Sequence, residues 1–493
     1  MSRKLPIFYN ALLLTGVNLL LRLVSTSFQV YLSGKIGAAG IGLLQLVMSV
    51  GALSLTAAMA GIRTATMYLT AEELGRKKAN NVTWILSGCF LYSIFCSVVL
   101  CLCLHFFAPA IAKHWLGDMG TVGAIRLLAA FLPVNCLCGV MIGYFTAANR
   151  IGTLAAVEVA EQVCSMALTL FLLSLWAGDD PCKACQSVVL GSGVSGCVTL
   201  SCLIILRIKE RPKFGRRIPV ARRLFRAAVP LALADDLKAG ISTTENLMVP
   251  KRLALYPNTE NPLALFGTVC GMVFPVMMFP AAILFGLAEL LIPELARCAA
   301  AGSQKRIRYL VKRSLRVSIF YGFVFGGLLY LLSYPLCNLL YKDTQAGQYL
   351  RWFSFLVPML YCDAITDAMT KGLGQQTACV RYNILTSSMD VAFLYILLPA
   401  YGIEGYFFSF LVTHLLNFLL SLTRLLKISK TNVSLSTVFA TIAVTVFSVW
   451  IASHSSLPLL RVLAFLLIFI SLLFLLQILK KEDVLWLKGL VRR

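Results

Sequence analysis

Charge is what this sequence has least of: only 13% of its 493 residues are charged, and its acids number 21 against 44 bases. Soluble domains carry about a quarter charged residues, so this scarcity excludes a chain whose surface is mostly in water. Histidine is equally sparse. His105, His114, His414 and His454 stand far apart, which excludes a histidine-rich metal centre and leaves no constellation of acid, base and nucleophile. Long polar stretches are missing too, so no segment remains for a separate soluble domain. What is present is hydrocarbon. Hydrophobic side chains make up 59% of the chain, and the mean hydropathy is +0.83.

The apolar residues come in runs of about twenty, the length that crosses a bilayer as one helix. They predict fourteen spans, at residues 5–33, 38–70, 82–108, 121–147, 151–177, 185–207, 226–252, 262–293, 313–340, 348–371, 379–400, 402–426, 434–453 and 457–480. The first begins right after Arg3 and Lys4 and continues to about Tyr31, so it reads as a spanning helix rather than a cleaved signal peptide. The net charge of +23 raises nucleic acid as a partner, but the positions of the bases argue for membrane orientation instead. They concentrate in the loops 75–81, 207–226 and 303–316, while loops 177–184 and 256–262 are nearly free of them. That pattern places both termini in the cytoplasm. The sixteen cysteines mostly lie singly in apolar runs as small hydrophobes. Cys182 and Cys185 form one CxxC in an outside loop. Lacking a second pair, it points to a disulfide or two free thiols sooner than to zinc.

Divided at its longest basic loop, the chain echoes itself at an offset of 225: Gly42 with Gly267, Asp118 with Asp343, Arg126 with Arg351, and Pro133 with Pro358. The expected architecture is an all-α integral membrane protein of two pseudo-symmetric six-helix lobes plus two carboxyl-terminal helices. Its parts are a first lobe at 1–207, a basic cytoplasmic linker at 208–225, a second lobe at 226–428, and a final helix pair with a basic tail at 429–493. Repeated bundles of this size suit transporters, because rocking one lobe against the other exposes a site to either side.

A charge in mid-span costs about 2.5–3.5 kcal/mol on translocon scales, so the polar residues that remain mark candidate sites. Span 1 carries Thr15, Asn18, Arg22, Ser25 and Gln29 on one helical face. Span 7 carries Asp235, Lys238, Ser242 and Glu245, which an offset of 220 aligns with the first four of these. The offset difference is expected to sit in a longer loop near 256–262. Further stripes are Gln45, Ser49, Thr56 and Arg63 on span 2, Glu158, Glu161 and Ser165 on span 5, and Asp363, Asp367 and Lys371 on span 10. Together they suggest a hydrated cavity between the lobes. For Glu158, Glu161 and Asp390 the other reading is helix-to-helix fastening. Arg22 is read as functional: a guanidinium within an otherwise uncharged stripe binds phosphate oxygens bidentately and stays charged in any environment. Arg63 and Lys238 would add positive potential, and Asp235, Asp236 and Glu245 would tune it. Pro275 and Pro280 in VFPVMMFP predict a kink in span 8.

The plan of fourteen spans, NLLLRLVSTSFQVYLSGKIGAAGIGLLQLVMSV at 18–50, GIRTATMYLTAEELGRKK at 61–78 and GYFFSF at 405–410 carry a family resemblance. In them the chain resembles the multidrug/oligosaccharidyl-lipid/polysaccharide exporter superfamily, in the branch of stage V sporulation protein B and the MurJ-type lipid II flippases. That likeness implies flipping of an undecaprenyl-pyrophosphate-linked sugar to the outer leaflet of a bacterial plasma membrane by alternating access. The work would serve cell wall, spore cortex or polysaccharide biogenesis, with the lipid-linked sugar and membrane lipids as partners and no nucleic acid. Arg22 matches the span 1 arginine of MurJ-type proteins, and Arg63 matches their span 2 bases more loosely. No cofactor or metal is expected. Coupling to Na+, H+ or the membrane potential is, with Asp236, Glu158, Glu161, Asp363 and Asp367 as the candidate groups. One departure is the absence of an arginine in the core of span 8. Two alternatives remain: a drug/cation antiporter of the same superfamily, which would carry an acid in span 1 and about twelve spans, and a membrane-embedded glycosyltransferase, which would need a larger outside loop.

Overall fold

The computed structural model describes residues 5–76, 79–178, 180–210, 220–257, 259–432, 435–455 and 457–476. Lys77, Lys78, the basic stretch 211–219 and the tail from 477 lie outside the described residues, as do the side chains of Thr15 and Asn18. The elements are α1 Leu5–Met59, α2 Ile62–Gly75, α3 Val82–Ile111, α4 Val122–Ala147, α5 Ile151–Leu172, α6 Pro181–Lys209, α7 Val220–Leu253, α8 Pro262–Phe266, α9 Phe274–Met278, α10 Ala281–Ala300, α11 Gln304–Tyr341, α12 Thr344–Phe353, α13 Val357–Gly372, α14 Gln376–Ser429, α15 Leu435–Ser453 and α16 Pro458–Leu475. No strand occurs among the described residues.

These helices resolve into the fourteen predicted spans, although only nine described ones are long and apolar enough to qualify singly. Two of the nine hold a pair of spans each. α1 turns at Gly37 (φ 68°, ψ 179°) and α14 at Gly402 (φ 57°, ψ −134°), backbone states that essentially only glycine adopts. Span 8 is the pair that begins at Pro262 and continues at Ala281, bent by 62° beside Pro280, as the two prolines predicted. Spans 7 and 10 are α7 and the α12–α13 run. They are less apolar than the others, for they hold Asp235, Asp236, Lys238 and Glu245, and Asp363, Asp367 and Lys371.

Span 2 is not the continuous helix expected. It breaks at Ala60 and Gly61, both at positive φ (43° and 71°), and the Tyr92 hydroxyl donates to the freed Ala60 carbonyl at 3.3 Å. The helix resumes as α2 at Ile62.

By contact the chain forms two compact units, residues 1–271 with 387–406, and residues 272–386 with 407–493. Inside the first, α2, α3, α4, α6 and α7 close around Ile62, Ile85, Phe145, Leu203 and Leu224. Inside the second, α15 and α16 pack on α11 through Leu331, Val444, Phe465 and Phe469. Lipid tails are as apolar as these side chains, so packing rather than water exclusion holds such helices together, and small residues let backbones approach. Many hydroxyls in the spans are spent on their own helix, as Thr56 on the Ala52 carbonyl at 2.8 Å and Thr370 on that of Thr366 at 2.8 Å.

The 225-residue repeat has a physical counterpart. A side chain at Gly42 would meet the Leu263 carbonyl oxygen at 2.3 Å, and one at Gly267 would meet the Ala38 carbonyl oxygen at 1.9 Å. Since 38 plus 225 is 263 and 42 plus 225 is 267, the contact is reciprocal: each repeat presents the same two residues to the other. Asp118 and Asp343 also share a role. Asp118 accepts from the Gly120 amide at 2.8 Å, and Asp343 from the Gln345 amide at 2.8 Å, each capping the turn that starts a helix. The offset change falls where expected, for α1 turns at a single glycine whereas α7 and α8 are joined by residues 254–261.

In the first unit, Glu73 at the end of α2 is 2% exposed. Arg223 bridges it at 2.8 Å and Glu72 at 2.7 Å, while the Asn81 amide donates to its second oxygen at 3.0 Å. A buried carboxylate stripped of its cation costs several kcal/mol. Arg223 is partly exposed, so Arg223→Ala should cost less, about 2–3 kcal/mol. Adding Glu73→Gln should restore most of it, since the amide needs no counter-charge. Thermal unfolding of the purified variants measures this; a double variant no more stable than Arg223→Ala would refute it.

Candidate substrate site

Most of the polar residues nominated from sequence fall on a few helices of the first unit, and Asp363, Asp367 and Lys371 fall in the second. Arg22 is half-buried on the first half of α1, with Ser25 exposed one turn on. Gln29 follows, its amide donating to the Gly271 carbonyl at 2.7 Å. That carbonyl lies in a π-helical stretch, Gly267–Val273, whose wider turn leaves backbone oxygens open to outside donors. Gln29 thus anchors α1 to the start of span 8 beside the glycine contact, and fixes the helix that bears Arg22.

A second anchor joins α1 to α7. The Asn246 amide donates to the Ser49 hydroxyl at 3.0 Å, Ser49 donates to its own Gln45 carbonyl at 2.8 Å, and the Thr243 hydroxyl donates to the Ser49 carbonyl at 3.2 Å. Ser49 was read as cavity lining; it is a fastener. Thr243 and Asn246 escaped the sequence reading because they lie off the charged stripe, and only their spacing of three marks a shared face.

With that face of α7 turned to α1, the stripe itself is left outward. Asp235, Lys238 and Ser242 are exposed, whereas Asp236 and Glu245 are half-buried. One carboxylate oxygen of Asp236 is buried without a hydrogen-bond partner among the described residues. A buried acceptor left unpaired costs about 1–3 kcal/mol or more, the state expected of a group that awaits a proton, a cation or water.

Arg63 stands in the first turn of α2, immediately after the break in span 2, with its side chain exposed. Its carbonyl lies 2.5 Å from where a side chain at Gly143 would begin, so close packing on α4 sets its direction. Glu158 and Glu161, one turn apart on α5, are both half-buried. Asp390 is buried on α14, 8% exposed.

In the second unit the predicted group divides. Asp363 accepts from the Asn417 amide at 3.2 Å, and Asp367 pairs with Lys371 at 2.6 Å, yet the second oxygen of Asp367 and the carbonyl of Asn417 are buried and unbonded. No cluster of metal-binding side chains occurs among the described residues. Cys182 and Cys185 are free thiols, Cys182 donating to Asp118 at 3.5 Å.

Comparison with known proteins matches the chain to one family, to a curated relative and to solved structures. The model of the polysaccharide biosynthesis protein family fits residues 38–344. Stage V sporulation protein B of Bacillus subtilis (strain 168) is 20% identical over 406 residues, covering 80% of this chain and 78% of that protein. Among solved structures, the lipid II flippase MurJ in an inward closed conformation superposes with a TM-score of 0.69 at 12% identity, over 94% of this chain and 97% of that one. An inward-facing multidrug resistance MATE family transporter of the MOP superfamily gives 0.65 at 16% identity, over 85% and 100%.

Proposed function

The chain belongs to the family of polysaccharide biosynthesis proteins, a multi-pass membrane family with a transporter fold, and from this we propose that it flips an isoprenoid-pyrophosphate-linked sugar across the membrane. The observation that carries the reading is Arg22, a half-buried guanidinium in the first membrane helix, held by a helix anchored through Gln29 and Ser49. A pyrophosphate offers paired anionic oxygens that match the guanidinium fork. A drug/cation antiporter would gain nothing from a positive charge there.

In this mechanism Arg22 takes the pyrophosphate from the cytoplasmic leaflet, with Asn18, Ser25, Gln29 and Ser242 as neutral donors around it. Arg63 and Lys238 raise the local potential, and Asp235 and Glu245 keep the attraction weak enough for release. Alternating access then delivers the headgroup to the outer leaflet of a bacterial plasma membrane. Asp236, Glu158, Glu161, Asp363 and Asp367 are the groups through which Na+, H+ or the membrane potential would drive the cycle; the unpaired oxygens of Asp236 and Asp367 support that assignment. No resident cofactor enters the scheme. The cargo is an undecaprenyl-pyrophosphate sugar, lipid II or a related precursor.

The test is rescue of a strain depleted of its own lipid II flippase, paired with flipping of a fluorescent undecaprenyl-pyrophosphate sugar by the purified protein in liposomes. Rescue with flipping is expected. Efflux of organic cations without flipping would move the protein to the antiporter reading.

The orientation has its own check. A reporter cysteine in the 207–226 loop, in a cysteine-depleted background, is expected to resist an impermeant maleimide in intact cells and react after lysis. Labelling from outside would reverse the topology and with it the direction of transport.

A further inference from the structure

Away from these polar stripes, the end of α3 that approaches the 112–121 turn carries a groove of about 470 Å³. Leu100, Phe107 and Ile111 wall it, Ser54 of α1 lies behind, and His114 and Trp115 stand at its mouth. Ser54 gives its hydroxyl to its own Val50 carbonyl at 2.8 Å, so the groove offers a ligand almost nothing but hydrocarbon. From Leu100 to Trp115 it follows roughly 20 Å of helix at 1.5 Å per residue, somewhat more than the half-thickness of a bilayer core, about 15 Å.

α7 runs beside α3 and meets it and the turn that follows it at two separate points. At the inner end the rings of Tyr92 and Phe225 meet edge to face at 5.5 Å. At the outer end the Lys251 ammonium donates to the His114 carbonyl, using one of its three donors. Lys251 and Lys113 are both exposed there, two cations beside an apolar cleft. Trp115 is 42% exposed, an aromatic of the kind that marks a membrane boundary.

We propose that this groove holds one acyl chain of an anionic glycerophospholipid whose phosphate is bound by Lys251 and Lys113. An apolar slot reaching one membrane boundary, with two ammonium groups where a headgroup would sit, fits both parts of such a molecule. It draws on different residues from the transport proposal and stands without it.

The experiment uses the full-length protein in phosphatidylcholine nanodiscs containing trace phosphatidylglycerol with a photoactivatable diazirine in its acyl chain, compared with a phosphatidylcholine probe bearing the same chain. Labelling of peptides containing residues 100–115 is expected to be about fivefold stronger with the phosphatidylglycerol probe, the scale of a partly solvated charge contact. Ala110→Trp, which fills the groove, should abolish that labelling and leave labelling of α15 and α16 unchanged, which also reports correct folding. Lys113→Gln with Lys251→Gln, which removes both charges while leaving a hydrogen-bond donor at each position, should make the two probes equal. Even labelling of all lipid-facing helices, or equal labelling of the wild type by the two headgroups, would overturn the proposal. So would stronger labelling by a polyprenyl phosphate probe, which would assign the groove to a different lipid.

Discussion

Arg22→Ala is expected to lower flipping at least tenfold, and Arg22→Lys to retain an intermediate rate. Hydrogen bonds to a charged group contribute about 1.5–3 kcal/mol, and 1.36 kcal/mol is one factor of ten in rate, so loss of the guanidinium predicts a fall of roughly ten- to a hundredfold. Lysine keeps the charge and forfeits the fork. Because Arg22 is half-buried within α1, its removal also touches the protein's own packing. The readout is therefore flipping per membrane-inserted protein, together with binding of an undecaprenyl-pyrophosphate sugar to each purified form. Normal binding and transport by well-inserted Arg22→Ala would return the residue to a structural role.

The second large effect is on the fold. Gly267→Val should remove most of the folded protein, because a Cβ there would stand 1.9 Å from the Ala38 carbonyl oxygen and 2.6 Å from the Gly42 amide nitrogen. Both are backbone atoms, so no side chain can turn aside. Overpacking a core generally costs about 1–3 kcal/mol, and here the clash also pulls at the Gln29 anchor on Gly271; a cost of about 3 kcal/mol or more is expected. Fluorescence size-exclusion chromatography of tagged variants measures it. Gly152→Val serves as control, since no atom lies within 4 Å of a side chain at that position. Wild-type yield and thermal stability for Gly267→Val would contradict the packing described.

How far the sequence could be read follows from what each feature depends on. Spans were legible because membrane insertion is decided by local hydrophobicity, and the bend of span 8 was legible because Pro280 removes a hydrogen bond wherever it sits. The break after Met59 was not. It turns on Ala60 as well as Gly61, and is supported by Tyr92 from the next helix, a partner that neither residue announces. The π-helical stretch that receives Gln29 was hidden for the same reason.

At the site, the charged stripes of spans 1 and 7 could be found from helical spacing, since every member lies on one helix. Which polar residues were free to act could not. Ser49 and Thr56 share a stripe with Arg63, yet Ser49 is engaged by Asn246, and Thr56 donates to the Ala52 carbonyl of its own helix. Glu73 lies outside those stripes and is 2% exposed behind Arg223. A residue's face can be read from spacing; its partner depends on residues 150 or more positions away.

The mutual contact of Gly42 and Gly267 bears on ancestry. A pairing in which residue i of one half meets residue j of the other, and j meets i, is the pairing two identical subunits make across a two-fold axis. Within one polypeptide, the approach of residues 38 and 42 to 263 and 267 has the two-fold form of a homodimer contact, the form that duplication and fusion of a half-length unit would leave at two equivalent positions. Once fused, the halves were free to diverge: Arg22 aligns with Ser242, and Asn18 with Lys238. A gene encoding either half alone would still hold one complete side of that seam, so co-expressed halves are candidates to find each other.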